Sequence, residues 1–437
     1  MINRNESLYK FYRTVGYDYL FYTVISFLFL TITKHLSVAE VMYTSSAYAL
    51  ALAISQLPFS YVVEKIGLKK ALVLGNLFWI ISFSITIFSK HFVFFVIAEI
   101  ISACGTSLKS LTETQVLYAS LKKSGNRKQF AKIEGASVAS YYFVEALSCL
   151  FIGTLFEISN YIPVVMTMSV LIISFVTSLF FEEVEEQSES RVDTVQFIKD
   201  FRMVLKSSRI RAIMLYVLVM SGIIGVVKTL QKDTLVSLKV SAMEYSYIFA
   251  VLTLCVGLGS KLQYVVEKFT KRKNLTYIGF SYTVLILLLG IVVLCLKDYT
   301  KIALVISIVI LIFHNLNQGL YRISVKKYMN NFTTHKVRGK ILSTFYMCEG
   351  IGQAVIIAIC GFVTDTFGTY ASLVITGSIS TILMVFVIKY MKKHLGLNPE
   401  EYLKEDIFGM DIKDEKKSEE KSLNVNEVLK EMSEIKK

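Results

Sequence analysis

Long apolar stretches alternate with short polar segments along the whole chain. Five of these stretches contain no charged residue, at residues 41–63, 71–89, 158–181, 274–296 and 366–388. An α-helix rises about 1.5 Å per residue, so about 20 apolar residues cross the hydrocarbon core of a membrane. The remaining stretches reach that length with one or two embedded polar residues. The pattern predicts twelve transmembrane helices, at about residues 11–33, 38–63, 71–89, 91–120, 130–157, 161–181, 209–230, 241–266, 274–296, 300–328, 338–364 and 369–392.

The composition agrees with a chain that is solvated by lipid. Hydrophobic residues make up 54% of the 437 positions, charged residues only 19%, and the mean hydropathy is +0.55. A soluble protein of this length needs far more polar surface, which excludes that class. The net charge of +13 does not indicate nucleic-acid binding, because the basic residues stand in short runs between apolar stretches. These runs fall in alternate loops and near both ends, which predicts a multi-pass cell-membrane protein with both termini in the cytoplasm.

Polar composition marks two further segments. Residues 182–208 open with an acidic run and continue with apolar side chains at helical spacing, which predicts a cytoplasmic linker with an amphipathic helix. Residues 395–437 are rich in Lys and Glu and too polar to cross a membrane. The chain therefore divides into a six-helix bundle at 1–181, the linker, a second six-helix bundle at 209–394, and a charged cytoplasmic tail.

One pentapeptide occurs twice. The segment YVVEK at 61–65 recurs at 264–268, and both copies end the second predicted helix of their six-helix set. Matching topological positions make a chance repeat a poor explanation. Two six-helix halves related by an axis along the membrane normal are a known transporter architecture. We therefore predict an all-α membrane protein of twelve transmembrane helices in two pseudo-symmetric six-helix bundles.

The loop after each copy carries acidic, basic and turn residues at a recognisable spacing. In the first copy these are Ser60, Glu64, Lys65, Gly67, Lys69 and Lys70, and in the second Glu267 and Lys268, with Thr270 in place of the glycine. This pattern resembles the signature loop of the major facilitator superfamily, with serine at its first glycine position. Residues 105–122 look like the end of the fourth helix in bacterial efflux-type members, and 361–368 (GFVTDTFG) resembles the eleventh helix. The resemblance spans about residues 10–394.

The resemblance implies a carrier in which two bundles rock about a central cavity and expose it to each face in turn. In the superfamily, charges of the signature loop latch the cytoplasmic side when the site opens outward. The resemblance implies the same role for Glu64, Lys65 and Lys70, and Gly67 allows the tight turn between the helices. The latch set is completed by Lys69, Glu267 and Lys268. The alternative is an ordinary positive loop that only sets the orientation in the membrane.

Four carboxylates fall inside predicted helices, at Asp18, Glu99, Glu145 and Glu349. An ionisable side chain at the bilayer centre costs about 2.5–3.5 kcal/mol on insertion scales, so each one needs a compensating role. One role is to take up and release protons as the cavity alternates between faces. The other is structural, as a hydrogen-bonded or paired acid that joins helices. We expect at least one of the four to couple transport to protons.

Other polar and aromatic side chains are candidates to line the substrate cavity. They are Tyr142, His314, Asn315, Gln318, Arg322 and Tyr346. The polar seam of the tenth helix either lines a substrate path or joins helices, and the aromatic rings either contact an amphipathic substrate or face lipid. Lys228 lies near a predicted helix end, where its amine can reach the membrane surface, so the sequence assigns it no function. Lys109 and Glu113 lie one helical turn apart, which predicts an intrahelical pair.

The predicted function is secondary active transport of a small molecule. The favoured form is proton-coupled efflux of an amphipathic or drug-like compound by a monomer. A solute importer of the same fold shares every feature named above, and a non-transporting receptor is a further alternative. No GxxxxGK[ST] loop occurs, which excludes ATP drive from this chain. Five histidines without a catalytic or metal-ligand cluster argue against an enzyme, a metal site or a cofactor.

Overall fold

Helices make up the described part of the protein. The computed structural model describes residues 4–126, 129–183, 208–270, 273–296, 298–331 and 338–395, and these contain no β-strand. The helices are α1 (Arg4–Gly16), α2 (Tyr22–Leu28) with a π-helical turn after it (Phe29–Thr33), α3 (Val38–Ile66), α4 (Leu68–Phe88), α5 (Phe92–Lys123), α6 (Phe130–Ile158), α7 (Ile162–Leu179), α8 (Ser208–Ser237), α9 (Ala242–Thr270), α10 (Asn274–Cys295), α11 (Thr300–Asn331) and α12 (Arg338–Leu395).

These helices cross the membrane twelve times, which confirms the predicted architecture. Ten of them, α3 to α12, are long and apolar enough to span it. The last of the ten, α12, crosses twice, because it bends at Gly368, whose φ of 77° lies in the region that favours glycine. The short α1 and α2 together make the first crossing. We call α1 to α7 the N bundle and α8 to α12 the C bundle. The face at which α1 begins and α12 ends is the terminal face, and the other is the opposite face.

The first crossing departs from the continuous helix predicted at 11–33. Here α1 ends at Gly16, and a break separates it from α2. The carboxylate of Asp18 accepts a hydrogen bond from the backbone N–H of Tyr19 (2.8 Å), and Lys109 Nζ donates to the carbonyl of Gly16 (2.6 Å). These side chains satisfy backbone groups that a continuous helix pairs internally. The prediction was wrong because hydropathy does not register a break that is held by polar groups, one of them on a distant helix.

The two bundles repeat each other at their second helices. Both α3 and α9 are 29 residues long, and each carries a YVVEK copy near its end. Each also begins with a capping box, formed by Ser37 with Glu40 and by Ser241 with Glu244. The internal repeat therefore includes the start of the helix as well as its end.

Contacts between the bundles lie in the half of the membrane toward the opposite face. Ser46 Oγ on α3 donates to the carbonyl of Ala354 on α12 (2.6 Å). The backbone N–H of Met243, in the first turn of α9, donates to Glu157 Oε1 near the end of α6 (2.9 Å). Close to this point Gly153 packs directly against the start of α9. Helix pairs α3–α12 and α6–α9 thus join the bundles there.

Lys34, beyond the end of the first crossing, ties two helices of the N bundle together at the opposite face. Its Nζ donates to the carbonyls of Ile87 and Ser89 (3.1 Å to the latter), which are acceptors at the C-terminal end of α4. Burial lowers the pKa of Lys34, and the neighbouring charge of Lys90 acts in the same direction.

The linker starts in contact with the N bundle. The backbone N–H of Glu182 donates to Asn5 Oδ1 (2.9 Å), and Glu183 Oε1 accepts from the backbone N–H of Lys69 in the first turn of α4 (3.2 Å). The amphipathic helix predicted within the linker lies outside the described residues, as does the charged tail beyond Leu395. Both stay predictions.

Candidate functional site

Lys228 exposes its side chain in the middle of a buried helix. It belongs to α8, the most buried of the described spanning helices, and its neighbours from Ile223 to Val227 and from Thr229 to Leu230 are buried. Because Lys228 is exposed among buried neighbours, its side chain faces a space that the surrounding helices leave open. The charges of Asp18 in the N bundle and Glu349 in the C bundle both act on Lys228, so we place this space, called the cavity below, between the bundles.

Two acids belong to the N-bundle wall of this cavity. Asp18 is half-buried in the break between α1 and α2, while Glu145 on α6 is only 7% exposed. Glu145 Oε1 accepts a hydrogen bond from the Tyr141 hydroxyl (3.3 Å), and the charge of Asp18 acts on both of these groups. The two carboxylates repel each other, and a proton or cation placed between them relieves that repulsion.

Bases line the facing wall of the C bundle. Arg322 on α11 is exposed like Lys228, and Lys232 lies one turn further along α8. The charge of Arg322 acts on Lys228, and the charge of Lys228 acts on Lys232. Glu349 on α12 offsets part of this positive charge. Lys232 Nζ also reaches across the bundles, to within 3.3 Å of Ser26 Oγ on α2.

The acids of the N bundle and the bases of the C bundle interact through their charges, but the described residues form no direct ion pair between them. Among the described residues, Asp18, Glu145, Lys228 and Arg322 take part in no ion pair. A charged group in a membrane protein interior is costly unless it is paired or solvated by a cavity. Opposed and unpaired charges at this depth are therefore typical of a ligand or ion site rather than of helix packing.

Aromatic side chains surround the charged groups. The ring of Tyr17 lies 4.8 Å from that of Tyr141 and 5.7 Å from that of Tyr142, measured between centroids. Tyr142 is 44% exposed, and the charge of Arg322 in the other bundle acts on its hydroxyl. Tyr346 on α12 is also exposed. The site therefore offers flat apolar surface beside its charges, as an amphipathic ligand requires.

Three of the predicted cavity residues lie instead among the packed helices of the C bundle. The ring of His314 on α11 is buried against that of Tyr282 on α10, with centroids 3.8 Å apart. Asn315 Nδ2 donates to Gln231 Oε1 on α8 (3.2 Å), and Gln318 is buried as well. Of the two alternatives for this polar seam, the structure places these side chains where helices are joined.

Glu99 lies on α5, apart from the pair formed by Asp18 and Glu145. Its charge acts on the hydroxyls of Tyr19, Tyr22 and Tyr48 within the N bundle. The charge of Asp18 also acts on Tyr48. Glu99 and Asp18 therefore share an influence on one hydroxyl, that of Tyr48.

The residues of the signature loop lie at the terminal face. Gly67 joins α3 to α4 with a φ of 90°, and the backbone N–H of Lys69 beside it is held by Glu183. In the second copy Glu267 Oε2 accepts from Gln263 Nε2 one turn earlier on α9 (2.7 Å). The exposed side chains of the set are those of Glu64, Lys65, Lys70 and Lys268.

Sequence reasoning missed a charged network at the terminal-face end of the N bundle. Arg13 on α1 pairs with Glu113 on α5 and with Glu134 on α6 (3.2 Å to Oε1). Lys109 Nζ lies 3.6 Å from Glu113 Oε1, which confirms the predicted intrahelical pair, and the Tyr12 hydroxyl donates to the same oxygen (2.9 Å). Two acids and two bases balance each other here, so this network is complete without a ligand. Arg13 and Glu134 lie close to predicted helix ends, where charge is expected in any case.

Lys228 escaped the sequence analysis because its helix was predicted to be too short. The predicted helix stops at residue 230, whereas α8 continues to Ser237. Gln231, Lys232 and Asp233 lower the local hydropathy and hide this continuation. The extra turns move Lys228 away from the membrane surface and into the interior.

Two pseudo-symmetric bundles of six membrane-crossing helices are the architecture of a class of secondary transporters. Residues 14–313 match the sequence profile of the Major Facilitator Superfamily. The chain belongs to this superfamily.

Solved structures share the fold along almost the whole chain. The nucleoside transporter NupG superposes with a TM-score of 0.74 at 12% identity, covering 89% of this chain and 99% of its own. A bacterial homolog of the human lysosomal transporter Spinster, in an inward-facing and unoccupied conformation, gives 0.67 at 13%, with coverage of 90% and 98%. A POT family transporter in complex with a thioalcohol-conjugated peptide gives 0.63 at 12%, with coverage of 89% and 96%. At such low identity the likeness shows the fold alone. No curated protein sequence matches the chain significantly.

Proposed function

We propose that this protein is a proton-coupled secondary transporter, which exports an amphipathic small molecule by alternating access. One observation carries the proposal: the acid pair Asp18 and Glu145 in the N bundle faces the bases Lys228 and Arg322 in the C bundle, with no ion pair between them. Rocking of the two bundles exposes this site to each face of the membrane in turn.

Competition for the acid pair is the proposed coupling step. The repulsion between Asp18 and Glu145 is relieved by a proton or by a positively charged group of the substrate, but the two exclude each other. A proton that binds from outside is released inside when the substrate takes its place. An inward proton gradient then drives the substrate outward, which makes the protein an antiporter.

The proposed orientation puts the terminal face in the cytoplasm of a cell-membrane protein. Basic side chains concentrate on that face, as the loop after α3 and the end of α5 illustrate with Lys65, Lys70, Lys122 and Lys123. There we propose that Glu64, Lys65 and Lys70 latch the bundles while the site is open to the outside. The protein is proposed to work as a monomer, with its substrate, protons and lipid as its only partners, and without a cofactor or a chemical reaction.

Proton movement in proteoliposomes tests the coupling. Full-length protein is reconstituted with a pH-sensitive dye inside the vesicles, and a panel of aromatic amines and amino acids is added outside. Asp18→Asn and Glu145→Gln are each expected to lower substrate-dependent proton movement at least about tenfold, because each removes an acid of the exchanging pair. Glu244→Gln removes an exposed capping acid of α9 and serves as the control.

Glu349→Gln completes the experiment, because the charge of Glu349 also acts on Lys228. Unchanged proton movement in all three acid variants would overturn proton coupling through this site. Loss in the Glu244→Gln control would show that acid removal acts only through stability.

Import of a solute by the same site is the second candidate. The fold that the chain shares with a nucleoside transporter and with a peptide-bound POT family transporter favours it. The sign of the dye response separates the two candidates. In import by symport, protons and substrate enter the vesicle together, whereas in antiport they move in opposite directions.

A further inference from the structure

We propose that Lys228 and Arg322 form an anion subsite, so that the transported molecule carries an acidic and a basic group on one small amphipathic frame. This inference rests on the proposed function, because it names the substrate class of the same site. Its observable consequence is a preference for zwitterions over molecules that bear only one of the two charges.

The geometry of the two bases carries the first step. Lys228 on α8 and Arg322 on α11 both have exposed side chains, although they lie within spanning helices. Asp18 of the N bundle acts on Lys228 and Arg322 acts on Tyr142 of the N bundle, so we place both bases toward that bundle. Their charges act on each other, and no described residue forms an ion pair with either. Glu349 offsets only part of the positive charge of these bases and of the neighbouring Lys232, and an anion that binds between Lys228 and Arg322 neutralises the remainder. The guanidinium group of arginine also matches a carboxylate with two parallel hydrogen bonds.

The opposed acid wall carries the second step. Asp18 and Glu145 are also two like charges that act on each other, but both are negative. The charge of Asp18 acts on Lys228 as well. A molecule that bears only an amine satisfies the acids and leaves the bases unpaired inside the membrane. A molecule that bears only a carboxylate does the reverse. Only a zwitterion neutralises both walls, and each unpaired wall therefore selects against the singly charged competitor.

The aromatic residues set the character of the remaining part of the substrate. Tyr142 lies between the two walls, with its ring close to that of Tyr17 and its hydroxyl within reach of the charge of Arg322. An aromatic or apolar group on the same frame as the amine and the carboxylate contacts these rings. Such a substrate touches both bundles at once, and it can therefore hold them together during the exchange.

Three compounds that each contain a benzene ring but differ in their charged groups test the proposal. Phenylalanine carries both charges, phenethylamine only the amine, and 3-phenylpropionate only the carboxylate. Binding to the purified full chain in detergent is measured by isothermal titration calorimetry at pH 7. Phenylalanine is expected to bind at least about tenfold more tightly than either analogue, because only phenylalanine leaves no wall unpaired.

Paired variants assign the two ends of the molecule. Lys228→Gln is expected to weaken phenylalanine about tenfold and to abolish its advantage over phenethylamine, whose own affinity stays the same. Glu145→Gln is expected to abolish the advantage of phenylalanine over 3-phenylpropionate instead. Lys301→Gln, which removes an exposed lysine at the start of α11, serves as the control. Melting temperatures show that each variant is folded.

A site that binds phenethylamine as tightly as phenylalanine, or that binds none of the three compounds, overturns the anion subsite. So does an equal loss for all three compounds in Lys228→Gln. The assay contains no membrane and no proton gradient, so a zwitterion preference without proton movement in vesicles rejects the coupling and keeps the subsite. Proton movement that is driven by amines alone does the reverse.

Discussion

Arg13 connects three helices of the N bundle through a single guanidinium group. It joins α1 to Glu113 on α5 and to Glu134 on α6, and its side chain is only 12% exposed. Removing one partner of a buried ion pair leaves the other charge without compensation, which is more costly than the pair is favourable. The stability of this bundle should therefore depend strongly on Arg13.

Arg13→Ala is expected to lower the free energy of unfolding by about 3 kcal/mol, at the low end for a broken buried pair because Lys109 still accompanies Glu113. Lys10→Ala is the matched control on the same helix. It removes an exposed pair with Glu6 that is worth about 0.2–0.5 kcal/mol. Denaturant unfolding in detergent micelles measures both. Equal effects of the two variants would contradict a role for the buried network.

At the scale of single residues, acids were easier to anticipate than bases. Asp18 and Glu145 interrupt apolar stretches, so the sequence alone marks them as candidates. Lys228 does not stand out, because the long flexible side chain of a lysine near a helix end can extend its amine to the membrane surface. Only the full length of α8 shows that this explanation fails. Conversely, the apolar surroundings of His314 predict burial but not which surface it faces.

Packing between helices depends on glycines that no hydropathy scale distinguishes. A Cβ atom on Gly259 of α9 would lie 2.0 Å from the carbonyl oxygen of Leu316, and one on Gly319 of α11 would lie 2.1 Å from that of Val256. The two backbones therefore approach through small residues on both sides, as is common in membrane proteins.

Gly259→Ala is expected to lower the free energy of unfolding by about 1–3 kcal/mol, because α9 and α11 must separate to admit the methyl group. Gly257→Ala tests the same substitution two residues away, where no atom lies within 4 Å. There the higher helix propensity of alanine should raise the stability by about 0.5–1 kcal/mol. The unfolding assay distinguishes the signs. A loss of stability in both variants would point to a general intolerance of this helix.

Helix number and order followed from apolar length alone, and the structure confirms both. Helix ends followed less well, because they depend on side chains that satisfy free backbone groups. The capping box at Ser241 is visible as SAME at 241–244, which parallels SVAE at 37–40, and each stands at the opposite end of its helix from the repeated pentapeptide. A search for caps would have extended the internal repeat to the other end of the helix. Nothing in the local sequence shows that α1 ends at Gly16, because the Lys109 side chain that binds the Gly16 carbonyl belongs to a distant helix.

The bundles meet at the opposite face through a carboxylate that belongs to one helix and caps another. Glu157 lies near the C-terminal end of α6, where a negative charge is unfavourable for its own helix, and accepts from Met243 at the N-terminal end of α9. In the proposed rocking of the bundles, this contact breaks when the opposite face opens. Its strength therefore contributes to the balance between the two states of the transporter.

Glu157→Gln is expected to raise the population that is open at the opposite face about two- to fivefold, in line with the roughly 0.3–1 kcal/mol of a charge at a helix end. Spin labels on Lys90 and Tyr299, exposed residues of the two bundles at that face, report the opening by pulsed electron resonance. Glu40→Gln is the control, since Glu40 caps its own helix within the N bundle. A larger effect in Glu40→Gln than in Glu157→Gln would refute the assignment.

At the scale of the whole molecule, the architecture was predictable from the sequence. Of the site, only its location between the two halves was predictable. Two repeated halves follow from the pentapeptides, and a cavity between them follows from the architecture. The pairing of one wall with the other does not follow, because it depends on which face of each helix turns toward the interface. The separation of Asp18 and Lys228 in the sequence does not indicate that the charge of one acts on the other.

The most direct test of the central claim is the response of the bundles to protons without any substrate. The label pair on Lys90 and Tyr299 is measured at pH 5 and at pH 8, in the native chain and in the double variant Asp18→Asn, Glu145→Gln. If protons act through Asp18 and Glu145, acidification changes the ratio of the two distance populations in the native chain. The account also predicts that the double variant gives the same ratio at both pH values. A pH response that persists undiminished in the double variant would contradict it.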